Sequence, residues 1–241
     1  MTVEAHNSYT AVVGLEIHVQ LSTSSKIFSD DATTYGEPAN TTVGPYTLGH
    51  PGTLPMLNKK VIEHAIKMGI ACKSHIADRL HFCRKNYFYP DLPKGYQITQ
   101  DRAPICLGGR IAFPQSNGII KEINLQRIHL EEDSGKSIHL QEDLATLIDY
   151  NRAGMPLLEI VTQPELHSGE EAQMLLHEVR RLVRYLDISD GNMEEGSMRC
   201  DVNVSLTEDG AKVAGERVEL KNINSMKRVR DAIGHEVERQ L

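Results

Sequence analysis

Glu16 and His18 stand two residues apart in a stretch where Leu15, Ile17, Val19 and Leu21 alternate with Glu16, His18 and Gln20. A period of two marks a half-buried strand, so the carboxylate and the imidazole leave the same face about 7 Å apart. Asp201 and Asn203 hold the same relation beside Cys200, Val202 and Val204, as do Glu219 and Lys221 around Leu220. Glu131, Glu132 and Asp133 add three consecutive acids. Neighbouring strand residues point to opposite faces, so only one of Glu131 and Glu132 is expected to reach a given ion directly. Any one such strand is most simply the solvated face of an antiparallel sheet. Several with the same acid-rich chemistry point to a site. Clustered carboxylates repel unless a cation sits among them, and hard oxygen ligands with one imidazole suit Mg²⁺.

Other chemistries fail on spacing. Gly135-Lys136-Ser137 resembles the end of a phosphate-binding loop, but the pattern needs glycine at position 130 and Leu130 is there. H-E-x-x-H, G-x-S-x-G and G-x-G-x-x-G do not occur, and no covalent nucleophile is evident. The run from Arg84 to Gln97 is dense in tyrosines, cations and turn formers. It is expected to be a loop, either packed on the core or projecting Lys85, Lys94 and tyrosine hydroxyls into a polar cleft. Lys221, Asn222 and Asn224 precede a helix start at Ser225, an arrangement that suits either a plain cap or a phosphate cradle.

The elements that must carry these residues are short strands and three helices. Lys59–Ile70 has a helical apolar stripe with Gly69 as the expected C-terminal cap. Ser168–Leu186 opens on an S-x-x-E capping box, Ser168 and Glu171, before a stripe of Leu175, Leu176, Val179 and Val183. The third helix opens at Ser225 and still runs at Leu241, which leads us to expect a fragment. Strands are expected around Leu15–Leu21, Ile128–Leu130, Met155–Val161, Arg199–Leu206 and Arg217–Leu220. Glu159 is the one charge in Met155–Val161. Strand pairs with long helices and no strict β-α alternation imply an α+β fold with a mainly antiparallel sheet.

The chain has 241 residues and a net charge of -7, so any nucleic-acid contact must be local rather than a matter of bulk charge. Its four cysteines lack C-x-x-C spacing, which speaks for reduced thiols and a cytoplasmic protein. No apolar run approaches the roughly 20 residues of a membrane span.

Several blocks together resemble one family, the aspartyl/glutamyl-tRNA amidotransferase B subunits. They are GLEIHVQL (14–21), GHPGTLPMLNK (49–59), RKNYFYPDLPKGYQITQ (84–100), RIHLEEDSGKS (127–137), DYNRAGMPLLEIV (149–161), DGNMEEGSMRCDVNVS (190–205) and ELKNINS (219–225). The resemblance implies that residues 1–241 are a catalytic cradle related in fold to glutamine synthetase and the guanidino kinases, with helical and tail domains lying beyond it. It further implies a kinase step: Mg²⁺-ATP phosphorylates the side-chain carboxylate of Glu or Asp misacylated onto tRNA(Gln) or tRNA(Asn). Ammonia released by a partner glutaminase (the amidase, or A, component), in a complex with a small C component, then attacks the acyl phosphate.

On this resemblance the metal ligands are expected to be Glu16, His18 and Glu132, with Glu131, Asp201 and Glu219 nearby. Lys221, Asn222, Asn224 and Asn203 are the nucleotide candidates. Lys85 and Tyr87, with Glu132, would line the ammonia path. Some members carry zinc-binding paired cysteines where this chain has Ser29, Asp31, Gly44 and Thr47, so no zinc is expected. The rival readings are a glutamine synthetase-like ligase on a free amino acid and a non-catalytic scaffold for the amidase.

Overall fold

The computed structural model describes residues 9–100, 102–140, 144–208 and 215–241. The chain begins with β1 (Tyr9–Gln20) and, after a long irregular stretch, α1 (Lys59–Ala71). Short strands follow: β2 (His75–Ile76), β3 (Cys83–Asn86), β4 (Tyr96–Thr99), β5 (Cys106–Leu107) and β6 (Arg110–Pro114). The long β7 (Ile120–Glu132) leads into a hairpin of β8 (Lys136–Leu140) and β9 (Ala145–Asp149), and then to β10 (Pro156–Thr162). The chain continues through α2 (Gly169–Tyr185), β11 (Met198–Glu208), β12 (Val218–Ile223) and α3 (Met226–Gln240).

The main sheet runs in the order β12-β11-β1-β10-β7-β5-β2, with β6 paired to β7. Its pairings are antiparallel. The architecture is α+β, as the strand and helix patterns led us to expect. Leu15, Ile17 and Val19 of β1, with Cys200, Val202 and Val204 of β11, face one continuous core. Val61, Ala65 and Met68 of α1, Leu175, Leu176, Val179 and Val183 of α2, and Val229 and Ile233 of α3 close over it. Each such large side chain contributes roughly 1.5–3 kcal/mol by leaving water. Both long helices start on their serines. The Ser168 hydroxyl accepts from Glu171 N, and that of Ser225 accepts from Arg228 N. Among the described residues, no helix is long and apolar enough to cross a membrane.

Three local expectations change. Gly69 does not cap α1, which runs on to Ala71 with Cys72 closing it. A Cβ at Gly69 would lie 2.5 Å from Cys106 Sγ, so the glycine is there to let α1 approach β5. Glu171 does not complete a reciprocal box with Ser168: its carboxylate accepts from His167 N and grips Lys121 Nζ at 2.7 Å, tying β7 to the start of α2. The segment 84–97 is not simply a loop. Cys83–Asn86 and Tyr96–Thr99 pair as a hairpin, with the tyrosine-rich turn at its tip.

The long stretch after β1 is held by polar locks. Ser29 Oγ donates to Asp31 Oδ2 at 2.9 Å, and the Thr47 hydroxyl donates to the same oxygen. A Cβ at Gly44 would overlap the Asp31 carboxylate. Lys26 is fully buried and donates to the Thr42 carbonyl at 2.8 Å. Burial pulls its pKa from 10.5 down to about 8, against the opposing pull of Asp31 and Asp149. A lysine whose folded pKa lies below its unfolded value carries a penalty in full below pH 8, and that penalty lifts as the pH rises to 10.5. The stability of Lys26→Met relative to wild type should therefore fall by about 3 kcal/mol between pH 7.5 and 10.5. Paired urea titrations across that range would show it. Parallel pH curves would mean that the ammonium is not desolvated.

Candidate functional site

Residues directly opposite one another on antiparallel strands share a face, and this organises the site. His18 on β1 stands opposite Arg199 on β11 and Glu159 on β10, and Glu159 stands opposite His129 on β7. The row Arg199, His18, Glu159, His129 thus crosses four strands, with one carboxylate set between the two imidazoles. The next row along the same face is Asp201, Glu16, Val161 and Arg127. Glu131 joins from the other side, opposite Leu157.

The centre of the face is tight. Glu159 Oε2 lies 3.4 Å from His18 Nε2 and 3.2 Å from His129 Nε2. Glu131 Oε1 is 3.6 Å from His18 Nε2, and its Oε2 accepts from the Thr99 hydroxyl at 3.4 Å. Glu131, Glu159 and His129 are buried. Burial alone would lower both imidazoles, but the carboxylates outweigh it. His18 ends above its ordinary value, and His129 rises to about 9. Burial would raise Glu159, yet the two imidazoles hold it well below the usual carboxylate range. One donor atom each from His18, Glu131 and Glu159 lies within 4.8 Å of the others. Two carboxylates and one imidazole at that spacing can close on one hard divalent cation with small side-chain adjustments.

This cluster forms the floor of a cleft of about 890 Å³. Glu16, Asp201, Lys85, Tyr87, Lys221, Asn222 and Asn224 line it. Asn203 donates to Glu16 Oε1 at 3.0 Å, and Lys221 Nζ lies 3.6 Å from Asp201 and 3.0 Å from Glu219. Asn222 has φ 61°, at an irregularity in the β11–β12 register that falls between its neighbours' pairings. Tyr87 is pushed up to about 12, first by burial and then by Asp91 and Asp133.

Two expected ligands lie elsewhere. Glu132, grouped with Glu16 and His18 on sequence, leaves β7 on the opposite face, because strand parity allows only one of the adjacent acids to face the imidazole. Its carboxylate takes Lys94 Nζ at 2.6 Å on both oxygens and Ile98 N at 2.9 Å. Burial draws Lys94 down and Glu132 up, and the contact between them opposes both shifts. Glu219 does not line the cleft and turns to Lys221 instead.

Sequence reasoning misses Glu159, His129 and Arg199, and it finds Asp133 only as one of three consecutive acids, not as the partner of Arg199. A single acid in an otherwise apolar strand is the available signal for Glu159. His129 alternates visibly with Arg127 and Glu131. Arg199 is held beside His18 by Asp133, with Nη2 2.8 Å from Oδ2. The buried thiols offer no nucleophile: burial pushes Cys72 up to about 12 and Cys106 up to about 11.

A family model described as the GatB/GatE catalytic domain matches residues 11–241. The chain is 53% identical over 245 residues to the B subunit of the aspartyl/glutamyl-tRNA(Asn/Gln) amidotransferase of Salinibacter ruber, covering 98% of this chain and 48% of that protein. It is 52% identical over 233 residues to the protein of the same name from Bdellovibrio bacteriovorus, covering 97% and 48%. The chain spans about half the length of the curated relatives it matches. With its catalytic-domain match running almost end to end, the chain belongs to the GatB/GatE family.

Proposed function

We propose that this chain is the phosphorylating domain of a glutamine-dependent tRNA amidotransferase, an ATP-consuming carbon–nitrogen ligase. Its substrate is Glu or Asp esterified to tRNA(Gln) or tRNA(Asn), and its ammonia comes from an amidase partner that assembles with it and a small third protein. The convergence of His18, Glu131 and Glu159 at the floor of a large polar cleft carries this reading. These three residues would hold Mg²⁺, with Glu16 and Asp201 close by on the same face. The ion supplies charge neutralisation for the triphosphate and the transferred group.

The rest follows from the chain's own groups. The substrate's side-chain carboxylate is the nucleophile, so the protein needs none, and its work is positioning and electrostatics. Arg199, fixed by Asp133 beside His18, sets a guanidinium where phosphoryl charge develops. Lys221, Asn222 and Asn224 on the far wall suit the nucleotide phosphates. Lys85 and Tyr87 line the cleft and would be the groups that meet incoming ammonia, and Glu132 under Lys94 would be a buried proton acceptor behind β7.

The test uses the assembled enzyme with hydroxylamine in place of glutamine. A hydroxamate on the esterified amino acid, formed only with ATP and misacylated tRNA, would support the acyl phosphate. Amidation of free glutamate with no tRNA present would sink the reading in favour of a glutamine synthetase-like ligase. Lys85→Ala should slow glutamine-dependent amidation by about 10²-fold while leaving ATP cleavage nearly intact. Equal loss of both partial reactions would place Lys85 at the phosphoryl site instead.

A further inference from the structure

We infer that Arg152, which is not part of the lining of the cleft, is a positioning residue that holds the Arg199 guanidinium at the phosphoryl site through Asp133. The inference deepens the function proposed above and rests on it for the role of Arg199. Asp133 follows directly on the last residue of β7, one position past the end of the β7–β10 ladder, where Glu132 pairs with Pro156. Its backbone is fixed there: its N–H donates to the Met155 carbonyl and its carbonyl accepts from Gly154 N, both at 2.9 Å. Its carboxylate is held separately. Oδ1 accepts from Ser134 N at 2.9 Å, and Oδ2 takes Arg199 Nη2 at 2.8 Å, with Arg152 Nε 3.6 Å away. One oxygen thus lies between two guanidiniums, one in the cleft and one outside it.

Arg152 grips the turn after Asp133 as well as the acid itself. Its Nε donates to Ser134 O at 3.0 Å and its Nη2 to Gly135 O at 2.7 Å. The turn needs such a hold. It roots β8, and β8 with β9 forms a two-stranded sheet of its own, apart from the main one. A ribbon of two strands is marginally stable in water. Gly135 N donates to the Asp91 carbonyl at 2.8 Å, which leaves Ser134, the residue that aims Oδ1, to Arg152. A planar fork spanning two successive carbonyls fixes the turn as a point charge does not. Fixing Ser134 fixes the amide that orients the Asp133 carboxylate, and so the direction in which Oδ2 meets Arg199. The Arg199 side chain is 35% exposed, so its long stem has solvent to swing into once that oxygen turns away. A group that stabilises developing charge acts only if it is already in place when the charge appears.

The test is a double-mutant cycle in the assembled enzyme, reading ATP cleavage with misacylated tRNA and hydroxylamine. Arg152→Ala should lower kcat about tenfold while KM for ATP stays within about twofold, and Arg199→Ala should lower kcat about 10²-fold. The variant carrying both changes should be no slower than Arg199→Ala, because a residue that acts only through Arg199 then has nothing left to position. A residue that merely steadied the fold, or acted by its own charge at long range, would cost the same factor in either background. That result would overturn the inference, as would wild-type kcat in Arg152→Ala. If Arg152→Ala does not assemble, Arg152→Lys, which keeps the charge but not the fork, takes its place in the cycle with the same expected non-additivity. A crystal structure of the position-152 variant adds a readout besides activity: Arg199 should leave its 2.8 Å contact with Asp133. An Arg199 still seated on Asp133 beside His18 would overturn the inference. Wild-type ATP cleavage in Arg199→Ala, with Arg199 displaced in that crystal structure, would leave the linkage standing and remove Arg199 from the phosphoryl step.

Discussion

Glu159→Ala should abolish tight divalent-cation binding by this chain and, in the assembled enzyme, its ATP-dependent step. Glu159 touches both imidazoles of the floor through one carboxylate oxygen, at 3.4 and 3.2 Å. Removing it takes away a hard oxygen donor and also the group that orients His18 towards Glu131. The expected losses are roughly 100-fold or more in cation affinity and about 10³-fold in ATP cleavage. Titration with Mn²⁺, followed by electron paramagnetic resonance, reads the first without depending on activity. His129→Gln, which takes one imidazole off Glu159 while His18, Glu131 and Glu159 remain, should cost less in the same titration. Wild-type Mn²⁺ affinity in Glu159→Ala would remove these three residues from the metal site.

Lys94→Met should be among the most destabilising single changes in this chain. Glu132 is 1% exposed, and its carboxylate takes two contacts from the Lys94 ammonium and one from Ile98 N. Lys94 also lies over the Tyr46 and Tyr96 rings, at 4.4 and 5.3 Å from their centroids. Removing the cation leaves a buried acid with one hydrogen bond, a situation that costs about 3–5 kcal/mol. The paired change Lys94→Met/Glu132→Gln keeps an oxygen for Ile98 N and removes the charge, so it should regain most of that stability. Urea unfolding of the two variants measures the difference. A double variant no more stable than the single one would show that packing of the lysine stem, rather than the charge, is what matters.

These two acids, Glu159 and Glu132, also show how far the sequence could be read. Glu16 and His18 are legible because their spacing fixes a shared face without any knowledge of neighbours. Choosing between Glu131 and Glu132 takes one more fact, the register that sets Leu157 opposite Glu131 and Pro156 opposite Glu132. No local pattern contains it. Glu159 is harder still. Within Met155–Val161 it is an exception to an apolar run, and it becomes a partner for His18 only because β10 lies next to β1 although more than a hundred residues separate them. Arg199 becomes a neighbour of His18 in the same way, through β11. The hairpin at 83–99 reads as a loop because its strands are four residues each and largely polar, and they flank a turn rich in proline and tyrosine. Helix starts need no such help. Ser168 and Ser225 cap through contacts three residues away, which is within reach of local sequence.

The lock around Asp31 restricts the order in which this stretch can change over evolutionary time. Ser29 and Thr47 both donate to one oxygen of that carboxylate, and Gly44 lies so close that any side chain there would collide with it. A lineage exchanging this arrangement for paired cysteines cannot begin at position 44, because the first cysteine would evict the acid while its donors still surround it. Substitution at 31 therefore has to come before substitution at 44, whereas Ser29 and Thr47 can change at any stage. The order of changes is thus constrained at one step, and any descendant with a side chain at 44 should lack the carboxylate at 31.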